Sequence, residues 1–148
     1  MITMQEEIVI EELVEAGQAE LEQLNALLPQ LSRSAPPLGD AEFARIISDP
    51  DVHLLVARRD GRMVGSLTLV IFPIPTGSRA IIEDVVVDGG ARGGGIGEKM
   101  VAHALVVAAD AGSRTVDLTS RPDREAANRL YQRVGFELRK TNVYRYQR

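Results

Sequence analysis

Apolar and polar residues alternate along the first fifty positions in a way that predicts one strand and two helices. Residues 8–10 are three consecutive β-branched apolar residues, which favour an extended backbone. Residues 15–31 repeat leucine at helical spacing, which gives a helix with one apolar face. The leucines of that face are Leu21, Leu24, Leu27 or Leu28, and Leu31. Asp40 is a good N-cap residue for a second, shorter helix that extends through Ile47.

The clearest local pattern is a β-hairpin centred on Asp60 and Gly61. Two runs rich in Val and Leu, residues 53–59 and 62–70, flank this pair. Because Asp and Gly both tolerate positive φ, the pair predicts a type I′ turn between antiparallel strands. Two prolines and a glycine, at positions 73, 75 and 77, are expected to break the second strand before a central strand begins near residue 79.

A strand, a glycine-rich loop and a helix start follow one another between residues 81 and 97. The strand is predicted by β-branched residues at positions 81, 82 and 85–87. The glycines around Arg92 are Gly89, Gly90, Gly93, Gly94 and Gly95. The helix is predicted by apolar residues that recur every four positions, namely Ile96, Met100, Ala104 and Ala108. Because a helix N-terminus presents unpaired N–H groups and a positive dipole end, this arrangement predicts an anion cradle.

The last third of the chain predicts one more strand, a helix and two closing strands. Residues 115–119 form the strand, and the helix covers about residues 123–134, with Gly135 as its cap. The closing strands are expected at residues 136–139 and 143–148. The complete order is β-α-α-β-β-β-α-β-α-β-β, which is an α/β (α+β) pattern.

Composition limits the classes of protein that the chain can represent. At 148 residues, 45% of them apolar, the chain is expected to fold as a single domain that covers residues 1–148. It has no cysteine and only two histidines, so a disulfide, a thiolate nucleophile and a metal site are not expected. No basic-then-apolar leader and no apolar run of about 18 residues occurs, so we expect a cytoplasmic protein without membrane contact.

The net charge of −4 hides an uneven distribution of charged residues. Seven glutamates and no Lys or Arg lie between Glu6 and Glu22, whereas eight basic and three acidic residues lie between Arg121 and the end. The basic part either lies near an anionic ligand or forms solvated helix and strand surfaces. Three Phe, three Tyr and no Trp leave little for stacking on bases, so nucleic acid is not the expected partner.

The spacing of the glycines narrows the class of anion. The P-loop pattern is absent, because no Gly-Lys-Ser/Thr occurs, and no glycine triplet fits the dinucleotide-binding G-x-G-x-x-G. Residues 92–97, RGGGIG, fit R-x-x-G-x-G, a pattern that alone would suit an ordinary flexible loop equally well. Further on, Asn128-Arg129-Leu130-Tyr131 precedes Gly135-Phe136. Together and in this order, the two motifs resemble the GNAT superfamily of acyl-CoA N-acetyltransferases.

The resemblance covers residues 52–146 and implies both a fold and a function. The implied fold is a mixed, mostly antiparallel central sheet of six to seven strands with helices on both faces. The implied function is direct transfer of an acetyl group from acetyl-CoA to a primary amine of a small molecule or peptide, in a ternary complex. The family also implies that a homodimer can form. The alternative is a non-catalytic CoA-binding or protein-interaction module with the same fold.

The resemblance implies which residues bind the cofactor. The backbone of Val85, Val86 and Val87 is expected to pair with the pantetheine arm, although these valines also suit a plain core strand. The phosphate cradle is expected to consist of Arg92, Gly93, Gly94, Gly95, Ile96 and Gly97. The later motif adds Asn128 and Tyr131. Family loops often carry a basic residue where this chain has Gly94, so one phosphate-binding charge is missing.

Two side chains are expected to transfer protons. Tyr131 matches the family's general acid, which protonates the departing thiolate, and its other interpretation is a core tyrosine. Glu83 is the expected general base, because partial burial on the central strand would raise the pKa of its carboxyl toward a useful value. Asp84 faces the opposite side by strand alternation, a β-bulge would exchange the two, and ordered water is an alternative base. The acidic first third would suit a cationic acceptor.

Overall fold

The computed structural model describes residues 7–148, which form one five-stranded sheet with helices on both of its faces. The strands are β1 (Ile8–Glu12), β2 (Val52–Arg59), β3 (Arg62–Ile74), β4 (Gly77–Val87) and β5 (Thr115–Asp117). The helices are α1 (Gln18–Leu31), α2 (Asp40–Ser48), α3 (Ile96–Asp110) and α4 (Glu125–Val134). The strands lie in chain order, the first four antiparallel and β5 parallel to β4.

The β2–β3 hairpin confirms its sequence-based prediction, whereas the next connection differs from it. Asp60 and Gly61 have φ of +51° and +77°, as a type I′ turn requires. The predicted break at Pro73 is wrong, because β3 continues to Ile74 and Pro73 pairs with a residue of β4. Pairing between β2 and β3 has already ended at Val70, so a residue without an N–H is tolerated beyond it.

Two apolar clusters cover the sheet, one on each face. On one face, α1 and α2 pack their buried side chains, such as Leu24 and Phe43, against Leu54 of β2. On the other face, α3 packs Met100 and its neighbours against Leu55 of the same strand. Leu54 and Leu55 are adjacent, so strand alternation sends them to opposite helices. Each fully buried side chain of this kind contributes roughly 1.5–3 kcal/mol.

A β-bulge interrupts the pairing of β4 with β3. Thr68 pairs with Glu83 and Ser66 with Val86, so two residues of β4 lie opposite one residue of β3. Asp84 is the first of these two and has φ of +52°, a left-handed conformation that is uncommon outside glycine. Strain of this kind persists only where the surrounding structure imposes it, and it concentrates at functional sites.

The bulge reverses the direction in which side chains alternate along β4. Ile82 packs in the α3 cluster, whereas Val86, four positions later, packs in the α1–α2 cluster. Without an inserted residue, both side chains would face the same side. β5 accompanies β4 only over residues 79–81, and in the part of the chain that the structure describes no strand pairs with residues 85–87 on that side.

Residues 136–148, where the sequence predicts two closing strands, contain no strand. The mixed sheet with helices on both faces is confirmed, but the described residues contain five strands, and the order ends at α4 as β-α-α-β-β-β-α-β-α. Residues 136–148 form no strand because the edge strand β5 is only three residues long and offers few backbone groups for another strand to pair with. Leu138, Val143 and Tyr146 remain 76–91% exposed. No helix among the described residues is long and apolar enough to cross a membrane.

Candidate active site

A cleft of about 880 Å³ lies between the end of β4, the start of α3 and one face of α4. Val85, Val86 and Val87 form its apolar wall, on the part of β4 that lies beyond the reach of β5. The volume is at the upper end of the range for ligand pockets, which suits a long ligand.

The N-terminus of α3 opens into this cleft without a capping side chain. Gly95 has φ of +73° and precedes the helix, and the first helical hydrogen bond runs from Lys99 N–H to the Gly95 carbonyl oxygen at 3.0 Å. The N–H groups of the three intervening residues therefore have no partner within the helix. A Cβ added to Gly97 would lie 3.3 Å from Leu130 Cδ1, so glycine there lets α3 approach α4 closely.

Four arginines line the cleft, and two carboxylates offset part of their charge. The arginines are Arg92, Arg124, Arg129 and Arg133, and the carboxylates are Asp123 and Glu125. Arg133 also lies 3.3 Å from Glu98, measured from Nε to Oε1. Three of the arginines belong to the basic last third of the chain, so part of that positive charge lies at the cleft.

Tyr131 lies in the same cleft, almost completely buried at 7% exposure. Gly135 ends α4 with φ of +120°, and the Phe136 N–H donates to the Tyr131 carbonyl oxygen at 2.9 Å. The two rings meet edge to face with centroids 6.0 Å apart. Burial raises the pKa of the Tyr131 phenol, and the nearby positive charge of Arg124 opposes this effect in part.

The structure brings most of the predicted site residues together. Those that line the cleft are Val85, Val86, Val87, Arg92, Gly93, Gly95, Ile96, Gly97 and Tyr131. Three predicted residues do not line the cleft, namely Gly94, Asn128 and Glu83, although Gly94 lies between two residues that do. A Cβ added to Gly94 would lie 3.2 Å from Arg59 Nη2, and Asn128 Nδ2 donates to the Arg121 carbonyl oxygen at 3.1 Å.

Glu83 is exposed, so the partial burial expected for it is wrong. It lies between Ile82 and the bulge, on the face opposite to the α3 cluster, at a point that neither α1 nor α2 covers. Asp84 is also exposed. The two carboxylates therefore stand side by side in solvent, immediately before the valines of the cleft.

Comparison with known proteins agrees with this geometry. The family model of the GNAT acetyltransferases matches residues 19–136. The chain belongs to the GNAT acetyltransferase family. A glucosamine 6-phosphate N-acetyltransferase of Trypanosoma brucei brucei is 36% identical over 110 residues, which are 69% of this chain and 73% of that protein.

Solved structures show the same GNAT fold. A crystal structure of a Trypanosoma brucei acetyltransferase is 28% identical, with a TM-score of 0.79 over 95% of this chain and all of that one. An aminoglycoside N-acetyltransferase in complex with CoA has a TM-score of 0.81 over 100% of this chain and 99% of its own. At 17% identity, this second likeness shows the fold alone.

Sequence reasoning missed a cleft residue that comes from outside the GNAT motifs. Gln30, near the end of α1, lines the cleft and contacts the start of the glycine-rich loop. Nothing in the sequence indicates this contact, because it joins positions 58 and 59 residues apart. The positions of Arg124 and Arg129 in the cleft could have been inferred, since both lie on or beside the predicted motif helix.

Proposed function

We propose that the protein is an N-acetyltransferase that transfers an acetyl group from acetyl-CoA to a primary amine by direct transfer. The observation that supports this most strongly is the convergence of three features on one cleft: an uncapped α3 N-terminus, four arginines and a buried tyrosine. The chain has no cysteine, which also favours direct transfer over an acetyl-thiol intermediate on the protein.

The residues of the cleft fit an acyl-CoA. The phosphates would bind the unpaired N–H groups at the start of α3 together with Arg92, and Arg129 adds further positive charge. The unpaired side of residues 85–87 offers backbone donors and acceptors to the amides of the pantetheine arm. When bound, acetyl-CoA supplies an activated acetyl thioester, and the residues of the chain orient it and move the protons.

Tyr131 would supply the proton that the departing sulfur needs. Its raised pKa keeps the phenol protonated at neutral pH, as a proton donor must be. A raised pKa also makes it a weaker acid, so close placement and the opposing charge of Arg124 have to compensate.

We infer that Glu83, on the face of β4 opposite to the α3 cluster, or a water molecule held by it accepts the proton that the amine loses. Because Glu83 and Asp84 are both exposed there, we infer that the acceptor carries positive charge. If neutral or anionic amines proved the best acceptors in a turnover panel, the inferred charge preference would be wrong.

Replacement of Tyr131 by Phe tests the proposed function. We expect kcat to fall by about 10²- to 10⁴-fold, as for other general acids, while the Kd for acetyl-CoA measured by calorimetry stays unchanged. Tyr144→Phe is the matched control, because Tyr144 is 87% exposed and lies outside the cleft. Cofactor binding without turnover on any amine would favour the non-catalytic module, and no binding at all would contradict both proposals.

The adjacent carboxylates provide a paired test of the base. Glu83→Gln should lower kcat/KM for the amine strongly, whereas Asp84→Asn, which removes an attracting charge but not the base, should lower it much less. The opposite result would mean that the bulge has exchanged the two roles. Equal and small effects would leave ordered water as the base.

A further inference from the structure

A side-chain amide of α1 holds the first residues of the glycine-rich loop. Gln30 Nε2 donates to Asp88 Oδ1 at 2.8 Å, and the Gly89 N–H donates to Gln30 Oε1 at 2.9 Å. Both ends of one planar amide are used, so the position and the orientation of the loop start are fixed together. We call this pair of bonds the Gln30 clamp.

Asp88 is the point at which β4 becomes the loop. Its N–H donates to the Val64 carbonyl oxygen at 2.8 Å, and its carbonyl oxygen accepts from the Ala91 N–H at 2.9 Å. The first bond extends the pairing with β3, and the second closes the short turn Gly89–Ala91 that leads to Arg92. The clamp therefore acts where a small rotation would displace the whole phosphate cradle.

Electrostatic repulsion gives a second reason for an uncharged side chain at position 30. A carboxylate beside a phosphate site is unfavourable, because like charges repel. Gln30 lines the cleft and Asp88 does not, so the side chain of the pair that reaches the cleft wall is the neutral amide.

We infer that Gln30 is a positioning residue for acetyl-CoA. Its amide holds the start of the cradle in the conformation that receives the phosphates, so α1 contributes to cofactor affinity although it lies outside both GNAT motifs. This inference rests on the proposed function, because it assumes that acyl-CoA is the ligand of the cleft.

The same helix contains a matched control. Gln23 lies two turns before Gln30, and its Oε1 accepts from the Met63 N–H at 2.8 Å. This bond also ties α1 to the sheet, but Gln23 does not line the cleft. A purely structural tether and a positioning clamp can therefore be compared within one helix.

The experiment measures CoA affinity by calorimetry and the midpoint of urea unfolding for each variant. Gln30→Ala should raise the Kd for CoA about tenfold and raise KM for acetyl-CoA with little change in kcat, since a lost hydrogen bond to a charged group has about this effect. Gln23→Ala should lower the unfolding midpoint but leave the Kd within about twofold of wild type.

An exchange of charges tests the contact itself. Gln30→Glu alone places two carboxylates together and should weaken CoA binding at least as much as Gln30→Ala. Asp88→Asn alone retains an acceptor for Gln30 but removes its charge, so it should weaken CoA binding less than Gln30→Ala does. Combining Gln30→Glu with Asp88→Asn restores a donor and an acceptor with reversed roles, so CoA should bind more tightly than to Gln30→Glu alone. The recovery should be partial, because the carboxylate at position 30 still lies on the cleft wall.

Three results would overturn the inference. Wild-type Kd in Gln30→Ala would show that the clamp does not position the cradle, while the proposed function stood. Equal effects of Gln30→Ala and Gln23→Ala on Kd would reduce the clamp to a general tether, and the lack of recovery in the double variant would exclude the contact. If wild-type protein did not bind CoA, the proposed function would fail first, and this inference with it.

Discussion

The two halves of β4 differ in what lies beside them. Residues 79–81 pair with β3 on one side and with β5 on the other. Residues 85–87 line the cleft, and of these Val86 and Val87 pair with β3 alone. The first half holds the sheet together, and the second leaves one side of its backbone open to the cleft. One strand can do both because β5 is short and because a bulge at Asp84 separates the halves.

The two halves of β4 also differ in the direction of their side chains. Before the bulge, the even-numbered positions of β4 face α3, as Ile82 does, and after it they face α1 and α2, as Val86 does. The inserted residue therefore sets which valines pack against the α3 cluster and which pack in the α1–α2 cluster.

Deletion of Asp84 should have the largest effect on this division. The side chains of residues 85–87 would each turn to the other face, exchanging the partners of a packed core. We expect a loss of about 3–5 kcal/mol in the free energy of unfolding, as for severe core disruption, or failure to fold. Asp84→Gly keeps the extra residue and suits φ of +52°, so its stability should stay within about 1 kcal/mol of wild type. Equal unfolding midpoints in urea for the two variants would mean that the bulge does not set the alternation.

Substitutions of the glycines at the two ends of α3 distinguish the effect of backbone strain from the effect on cofactor binding. Gly95 and Gly112 have φ of +73° and +81°, and an added Cβ would meet nothing within 4 Å at either site. Replacement of either by Val should cost roughly 1–2 kcal/mol of stability through left-handed strain. Only Gly95→Val should raise the Kd for CoA, by about tenfold or more, because it alters the N–H groups of the cradle. Calorimetry on both variants checks this, and a similar loss of affinity in Gly112→Val would contradict it.

The charges on α4 should have a smaller effect on affinity. Arg129→Gln should raise the Kd for CoA roughly two- to fivefold, in the range of exposed charge pairs, and make it less dependent on salt. Arg139→Gln changes an exposed residue outside the cleft and should have no such effect. Titrations at low and high salt distinguish the two, and an equal response would indicate non-specific attraction.

The smallest effect concerns the stability of the fold at alkaline pH. Burial raises the folded-state pKa of Tyr131, so above the usual phenol value near 10 the folded protein keeps a proton that the unfolded chain has lost. The resulting stabilisation is complete below that pH and disappears as pH rises through the folded-state pKa. Thermal unfolding between about pH 9 and 11 should therefore show a steeper loss of Tm in wild type than in Tyr131→Phe. Tyr144→Phe should retain the wild-type slope, and a shallow slope in that variant would assign the effect to another group.

Local features of the fold could be predicted from the sequence, whereas long-range ones could not. The Asp60–Gly61 turn and the Gly135 cap depend on a few adjacent residues, and both are confirmed. The exposure of Glu83 and the clamp by Gln30 depend on where distant elements pack, which no local pattern records. The prediction of two closing strands was wrong for the same reason. The residue pattern at positions 136–148 suits a strand, but a local pattern does not provide a neighbouring strand to pair with.

The unpaired side of residues 85–87 also affects the tendency of the protein to aggregate. An unpaired edge of consecutive β-branched residues is a template on which a second chain can add a strand. Here α4 and the glycine-rich loop stand beside that edge and line the same cleft. Helix α4 and the glycine-rich loop therefore also shield an unpaired strand edge that could promote aggregation. Variants that weaken the packing of α4 are expected to self-associate before they unfold.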